Sequence, residues 1–310
     1  MEENSRLDRL VEAGKAVIPP LTLLSALLFY FGYVSARSQY EYFGVDVDTI
    51  GLGTQDYIMR SPQPLLTPLL LFAAAGAGAV AAHAAIRRRI HPEASPRTVR
   101  RMRRLARAGQ VAGLTALAAG LLLLLAYPFL RDWRLYGLVT PLLIATGGTL
   151  LGAGSALGRL LRPPAPPAPF RRTSTTLVYL VVAVSAFWTT ATVAQWSGRG
   201  LAMDQANRLG RLPSVILDTK ESLFLRSPGV QETKLPPSEG QTFHYRYRNL
   251  RLLIHGKDRM FLVADHWSAS NTTIIVPLDD SVRVQFQFQN QPPSPFSRAT
   301  PPGTARPAPT

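Results

Sequence analysis

Carboxylates and aromatic rings are concentrated in one stretch of the sequence, residues 37–64. We treat this stretch as a candidate interaction loop, and its notable side chains are Tyr40, Tyr42, Phe43, Asp46, Asp48, Asp56 and Tyr57. Asp46 and Asp48 carry the oxygen ligands that suit a cation or a basic protein surface. No further ligand follows them at a fixed spacing, so the pair is a weak metal signal. The rings are also typical of an aromatic belt at a membrane surface.

Histidines are the second group of side chains with chemical potential. His244, His255 and His266, together with Asp265, are residue types that bind zinc, but their spacing follows no rule for such sites. The sequence has no cysteine, no G-x-S-x-G, no H-E-x-x-H and no phosphate-binding loop. We therefore predict no catalytic residue, no metal, no cofactor and no disulfide, and we expect a protein that is not an enzyme.

The elements that would position these groups are blocks of apolar residues. Of the 310 residues 46% are apolar, and most of them are grouped rather than spread along the chain. Five blocks have no charged residue except Arg159 near the end of the fourth, and they are 17–36, 65–86, 111–130, 135–161 and 177–196. A helix needs roughly 20 apolar residues to cross a bilayer and satisfies its own backbone hydrogen bonds there. The blocks therefore predict five transmembrane helices.

The net charge of +15 is distributed in a way that predicts the orientation of these helices. Lys and Arg number three in residues 1–16, two in 37–64, nine in 87–107, two in 131–134, four in 159–176 and fourteen beyond 196. By the positive-inside rule, the tail 1–16 and the two basic loops are cytoplasmic, and the C-terminus lies outside the plasma membrane. The acidic residues of the tail favour an uncleaved first helix over a signal peptide, and cleavage would leave four crossings and the same external C-terminus.

The arginine-rich loop 87–107 explains much of the basic excess. We assign its arginines to topology and to contact with anionic lipid headgroups, and we predict no nucleic-acid partner. The partners expected are the lipid bilayer, these headgroups and a protein of the envelope.

Small residues predict close packing among the helices. Three G-x-x-x-G pairs occur in or beside the apolar blocks, formed by Gly109 with Gly113, Gly148 with Gly152, and Gly154 with Gly158. We expect the last four glycines to share one packed helix face. The pattern leaves open whether the packing is within one chain or between chains, and we favour one chain.

Residues 197–290 have the composition of a small β-rich domain outside the cytoplasm. Alternation at 243–248 and 282–288 predicts two strands, and apolar runs at 215–217, 222–225, 250–254, 260–264 and 272–276 predict others. A polar helical extension of the last span is expected before them. Prolines predict a stiff cytoplasmic linker at 163–169 and a disordered tail at 291–310. The fold class expected is an α-helical membrane bundle plus a small β-rich extracytoplasmic domain.

Two short motifs after the first apolar block carry a resemblance. Tyr42-Phe43-Gly44-Val45-Asp46 and Thr54-Gln55-Asp56-Tyr57, followed by Arg60-Ser61, resemble segments of uncharacterised multi-pass membrane proteins common in actinobacteria. The segments 247–253, 261–263 and 276–277 are similar to the external part of those proteins. The resemblance covers most of the chain in outline. It implies architecture and location, and it implies no activity and no binding residues.

These patterns favour a non-enzymatic protein that senses, scaffolds or binds a partner at the cell envelope. A channel, transporter or transporter subunit is the alternative, although the one candidate for an ionisable residue inside the bilayer, His83, lies near the end of its block. An enzyme using Asp46, Asp48 or Asp56 is a third hypothesis, and no base or nucleophile accompanies those residues.

We also predict that the interaction loop docks against the external domain. Residues 37–64 carry a net charge of −2 and residues 197–310 carry +5. The predicted topology puts both on the same side of the membrane, and contacts from Phe43 or Tyr57 would supply buried area that a small domain without disulfides needs.

Overall fold

The computed structural model describes residues 2–89, 96–161, 170–225, 227–268 and 272–287. The chain forms two compact units. The first comprises Met1–Tyr42 and Leu52–Leu201, and the second comprises Phe43–Gly51 and Ala202–Thr310. The predicted linker at 163–169, the predicted disordered tail at 291–310, residues 90–95 of the arginine-rich loop and the side chain of His83 lie outside the described part of the chain.

Helices make up the first unit, and the second unit contains α2 (Val47–Ile50), the end of the last long helix and a 3-10 helix (Leu209–Arg211). In chain order they are α1 (Glu2–Glu41), α2 (Val47–Ile50), α3 (Thr54–Arg60), α4 (Pro62–Arg89), α5 (Pro96–Leu125), α6 (Tyr127–Leu130), α7 (Tyr136–Leu160) and α8 (Phe170–Asn207). Five of these are long and apolar enough to cross a membrane. Within them the apolar stretches are Leu21–Glu41, Pro62–Ile86, Val99–Leu125, Tyr136–Arg159 and Thr176–Asn207. The protein therefore has five long apolar helices, as the blocks predicted.

The third long helix differs most from the predicted span 111–130. It begins at Pro96, because proline is well suited to the first helical turn and the arginines that follow are good helix formers. It ends at Leu125, and Pro128 falls in the first turn of the separate helix α6. Proline inside a continuing helix would remove a hydrogen bond and clash with the carbonyl four residues earlier. The helix is therefore interrupted at Ala126.

Helices α5 and α7 approach each other so closely that only glycine fits at several positions. A Cβ atom at Gly113 would lie 2.6 Å from the Leu151 backbone nitrogen, and one at Gly147 would lie 2.7 Å from that of Leu117. Gly154 similarly meets the Ala106 carbonyl oxygen at 2.9 Å, and Gly109 lies opposite Leu150 and Gly154 at ordinary contact distances. Glycines on both helices thus bring the two backbones together.

The expectation that Gly148, Gly152, Gly154 and Gly158 share one face is wrong. Gly148 and Gly152 face valines of α8, at 3.4 Å from Val182 and 3.3 Å from Val178, whereas Gly154 faces α5. Gly158 has only the end of the Gln110 side chain nearby, at 3.9 Å. Successive helix residues are separated by about 100°, so residues two apart point in nearly opposite directions.

The second unit contains an antiparallel sheet. Its strands are β1 (Ser214–Thr219), β2 (Gln231–Lys234), β3 (Tyr245–His255), β4 (Arg259–Ala264), β5 (Ile274–Pro277) and β6 (Val282–Gln287). The order is β5-β4-β3-β1-β6, and β2 also pairs with β3. One face carries a buried cluster formed by Val215, Leu217, Tyr247, Leu250, Met260, Leu262, Ile274 and Val276. The separate sheet domain is therefore present, and its core needs no disulfide.

The strands differ from the expected ones in three places. Strand β3 joins the two predicted strands into one, with left-handed Asn249 (φ 62°) and a register shift between Leu252 and Ile254 bending it. Strand β2 has every residue exposed, so it had no apolar alternation to reveal it. The expected strand at 222–225 is irregular, and within it Phe224 has a left-handed backbone (φ 48°).

Candidate functional site

The candidate interaction loop is divided between the two units. Tyr40, Tyr42, Asp56 and Tyr57 belong to the first unit, and Phe43, Asp46 and Asp48 belong to the second. The loop is thus two structural pieces with different surroundings.

In the first unit, the piece at α3 packs against α1. The Tyr57 ring lies edge-on to Phe29 and Tyr33, each at 5.4 Å between ring centroids. A Cβ atom at Gly32 would overlap with the Tyr57 carbonyl oxygen, so glycine is required there. Arg60 donates a 2.8 Å hydrogen bond to the buried Tyr40 hydroxyl. Both tyrosines therefore have a structural role in fastening α3 to α1.

In the second unit, the piece Phe43–Gly51 is built into the sheet domain. The Phe43 ring lies edge-on to Trp267, with 4.9 Å between centroids, and the Phe43 carbonyl accepts a 2.6 Å hydrogen bond from the Thr273 hydroxyl. At the other end, the Ile50 carbonyl accepts a 3.3 Å hydrogen bond from the Lys257 amide. The predicted docking is thereby confirmed for Phe43.

We infer from contacts and burial that this piece covers the face of β4 that points away from the core cluster. Phe43 lies beside residues that follow β4, and Ile50 lies beside the turn that precedes it. Phe261 and Val263 are fully buried although alternation places them opposite Met260 and Leu262. Val47 and Ile50 are themselves fully buried. Phe43–Gly51 is thus an integral part of the domain.

Two of the three aspartates of the loop cap short helices. The Asp46 carboxylate accepts a 3.2 Å hydrogen bond from the Asp48 amide at the start of α2, and the Asp56 carboxylate accepts one of 2.8 Å from the Gly53 amide at the start of α3. Carboxylates at helix N-termini satisfy amides that the helix leaves free. Within the described ranges, no group of three or more His, Asp or Glu side chains is arranged to hold a metal ion.

The sheet contains one buried carboxylate, and two arginines neutralise it. Asp218 is fully buried and accepts hydrogen bonds from Arg246, at 2.8 and 3.0 Å, and from Arg283, at 2.6 and 3.1 Å. These guanidinium groups, Arg246 first, hold the pKa of Asp218 below its ordinary value against the opposing effect of burial. The three side chains connect β3, β1 and β6, so the cluster fixes the pairing of these strands.

The residue that stands out on the domain surface is Phe224. Its side chain is 79% exposed, and its backbone is in the left-handed region, which is strained for a residue with a Cβ atom. Specific hydrogen bonds hold this turn. The buried Tyr247 hydroxyl accepts a 2.7 Å hydrogen bond from the Leu223 amide, and the Ser222 hydroxyl accepts one of 3.3 Å from the Phe224 amide. Burial also raises the pKa of Tyr247. The turn thus presents a phenyl ring to its surroundings.

Beside this ring lies an open cavity of about 470 Å³. Its lining includes Lys220, Lys234, His244 and Phe224, with Glu221 as its one carboxylate. His244 is fixed by a 3.1 Å hydrogen bond between its Nδ1 and the Lys220 carbonyl. The exposed ring and the lysines form a surface suited to a peptide that carries apolar and acidic side chains. We call it the Phe224 surface.

Neither the Phe224 surface nor the Asp218 cluster was predicted from the sequence. Phe224 resembled a strand residue, and nothing local marks Asp218 as the partner of arginines 28 and 65 positions away.

No family model, no curated protein and no solved structure matches this chain.

Proposed function

We propose that this chain is a multi-pass membrane protein of the cell envelope, with its N-terminus inside and the sheet domain outside. Five long apolar helices and the alternation of basic connections support this orientation. The motifs at 42–46 and 54–57 suggest membership of an actinobacterial membrane protein family. The protein acts in this proposal as a non-enzymatic binding or scaffolding protein.

The composite sheet domain supports the topology independently of charge. Phe43–Gly51 follows the first long helix, whereas the strands follow the fifth. Pieces of one folded domain must lie on the same side of a membrane. Four intervening long helices satisfy this requirement if each crosses once, because an even number of crossings returns the chain to its starting side.

The observation that carries the binding function is the Phe224 surface. Exposing a phenyl ring to water is unfavourable, and a left-handed backbone adds about 1–2 kcal/mol of strain. The buried Tyr247 hydroxyl and Ser222 maintain this arrangement. Aromatic rings are enriched at the centre of protein interfaces and are common among the few residues that dominate binding energy, whereas charged groups such as these lysines are typical of the polar rim. The partner proposed is an envelope protein with an acidic, apolar segment.

Cysteine labelling tests the topology directly because the native chain has no cysteine. Ser95→Cys should be protected from an impermeant maleimide in intact cells, and the exposed Ser238→Cys should react. Reaction of the first and not the second would contradict the orientation. Recovery of the chain in the soluble fraction after alkaline extraction would contradict membrane insertion.

Photocrosslinking in cells tests the binding function. A photoreactive phenylalanine analogue at position 224 should give a discrete adduct, and the same analogue at Ile275 should not. Ile275 is the matched control because it lies in the same unit and is 52% exposed. The adduct should decrease when Lys234→Glu is introduced, since that change reverses a charge beside the ring. Identical adducts at both positions, or none, would contradict a specific Phe224 surface.

A further inference from the structure

Another cavity lies in the first unit, at the ends of its long helices. This cavity has a volume of about 740 Å³ and lies between the end of α5, the connection 126–135, the start of α7 and the last part of α8. Its size is within the range of small-molecule sites. We call it the arginine cavity.

Three arginines line the arginine cavity against one carboxylate. They are Arg131, Arg134 and Arg199, and the carboxylate is Asp132. Asp132 is 3.7 Å from Arg131 and 94% exposed, so it neutralises little of this charge. Among the described residues, Arg134 and Arg199 form no ion pair. The cavity therefore has a surplus of positive charge.

The proposed topology places these arginines outside the cytoplasm. The connection 126–135 lies between the third and fourth long helices and Arg199 lies near the end of the fifth, which places all three on the outer side. The connection's two basic residues, Arg131 and Arg134, both face this cavity. Both cationic side chains of the connection are therefore available to an anionic ligand in the cavity.

Aromatic rings form the remainder of the cavity wall. Trp133, Trp188 and Trp196 are three of the four tryptophans of the chain, and Tyr127 and Tyr136 also line the cavity. Tryptophan and tyrosine are enriched where lipid headgroups meet the hydrocarbon. Two further lining residues connect α8 to α7, since the Thr192 hydroxyl donates a 2.8 Å hydrogen bond to the Gly137 carbonyl. The site thus combines cationic groups with rings suited to the glycerol and first methylenes of a lipid.

We propose that the arginine cavity binds the phosphodiester headgroup of an anionic phospholipid from the outer leaflet. Guanidinium groups bind phosphate oxygens with paired, charge-assisted hydrogen bonds. The exposed Leu124 and Tyr127 give the acyl chains an apolar exit toward the bilayer. This inference rests on the proposed membrane topology and is separate from the Phe224 surface.

Tryptophan emission of the full chain in neutral detergent tests the assignment. Short-chain phosphatidylglycerol is titrated against phosphatidylcholine, glycerol phosphate and inorganic phosphate. Phosphatidylglycerol should produce a saturable change in emission, since three of the four tryptophans line the cavity. Arg134→Gln and Arg199→Gln should each weaken the apparent affinity at least about tenfold. Arg211→Gln is the matched control, because it removes the same charge from an exposed position beyond the cavity and should bind like the parent.

The outcomes separate the possible sources of the phosphate. Equal responses to phosphatidylglycerol and phosphatidylcholine, or equal affinities of the three variants, would overturn the proposal. Saturation by glycerol phosphate or inorganic phosphate at the same concentration as phosphatidylglycerol would overturn the lipid and identify a soluble phosphate. Membrane insertion is measured separately by the labelling and extraction experiments above, so failure of the lipid site and failure of the topology give different results.

Discussion

Replacing Gly147 by alanine tests whether the contact between α5 and α7 governs the stability of the helical unit. The new Cβ atom would lie 2.7 Å from the Leu117 backbone nitrogen and 2.9 Å from the Gly113 carbonyl oxygen. Real Cβ contacts are rarely closer than 3.4 Å, so the helices must separate locally by several tenths of an ångström. Both obstructing atoms belong to the backbone and cannot rotate away.

The magnitude follows from two opposing effects. Overpacking of a well-packed interface costs about 1–3 kcal/mol. Exchange of a helical glycine for alanine returns up to about 1 kcal/mol through helix propensity. The control Gly78→Ala separates the two, because Gly78 lies in the long helix α4 and its Cβ atom would meet nothing within 4 Å. The free energy of unfolding of Gly147→Ala should therefore lie about 1–3 kcal/mol below that of Gly78→Ala.

Unfolding by sodium dodecyl sulfate in mixed micelles, followed by circular dichroism, measures this difference. Gly152→Ala should fall close to the control, because its Cβ atom would meet only the end of the Val178 side chain, at 3.3 Å. Equal midpoints for Gly147→Ala and Gly78→Ala would refute the close approach of α5 and α7. Loss of stability in Gly152→Ala alone would instead place the critical packing at α8.

Three further predictions concern the sheet domain. Asp218→Asn should lower its stability at pH 7 by about 1–3 kcal/mol, less than for a fully buried pair because the arginines are partly exposed. The pKa of Asp218 is lowered in the folded state, so this stabilisation is fully present above the ordinary pKa of 3.8 and is lost as the pH falls through the folded pKa. The free energies of unfolding of the parent and the variant should therefore converge at acid pH. Gly256→Ala would bring a Cβ atom within 2.6 Å of the Ile50 carbonyl and should shift Trp267 emission by displacing Phe43–Gly51, whereas Gly210→Ala, with open space around it, should not. Phe224→Gly should be about 1 kcal/mol more stable in urea than Phe224→Ala because glycine removes the left-handed strain, while both abolish the photocrosslink; equal stabilities would contradict the strain.

The sequence predicted the elements whose signals are local. Uninterrupted apolar blocks revealed all five long helices, and alternation revealed strands β3 and β6. Helix ends were less predictable, since the arginine-rich start of α5 has no apolar signal. Which glycines face which neighbour depends on helix rotation, so Gly147 was missed although it lies next to Gly148.

The candidate site required information that a sequence does not present locally. Asp46 and Asp56 looked like possible ligands, but their hydrogen bonds go to amides two or three residues away. Charge and aromatic content suggested docking of the loop, and Phe43 did dock, whereas the Tyr57 ring packs on α1. Phe224 was assigned to a strand because apolar neighbours do not encode its left-handed backbone.

The domain's composite construction has a consequence for biogenesis. Phe43 leaves the ribosome long before its hydrogen-bond partner Thr273, which is 230 residues further along the chain. Until the strands are made, Val47 and Ile50 have no sheet to pack against. The outer face of β4 likewise stays uncovered until Phe43–Gly51 and the strands lie on the same side of the membrane. In the proposed topology, a chain with one long helix left uninserted would have the two segments on opposite sides of the bilayer, and Phe261 and Val263 would stay uncovered. In the proposed topology, completion of the sheet therefore depends on correct insertion of every long helix.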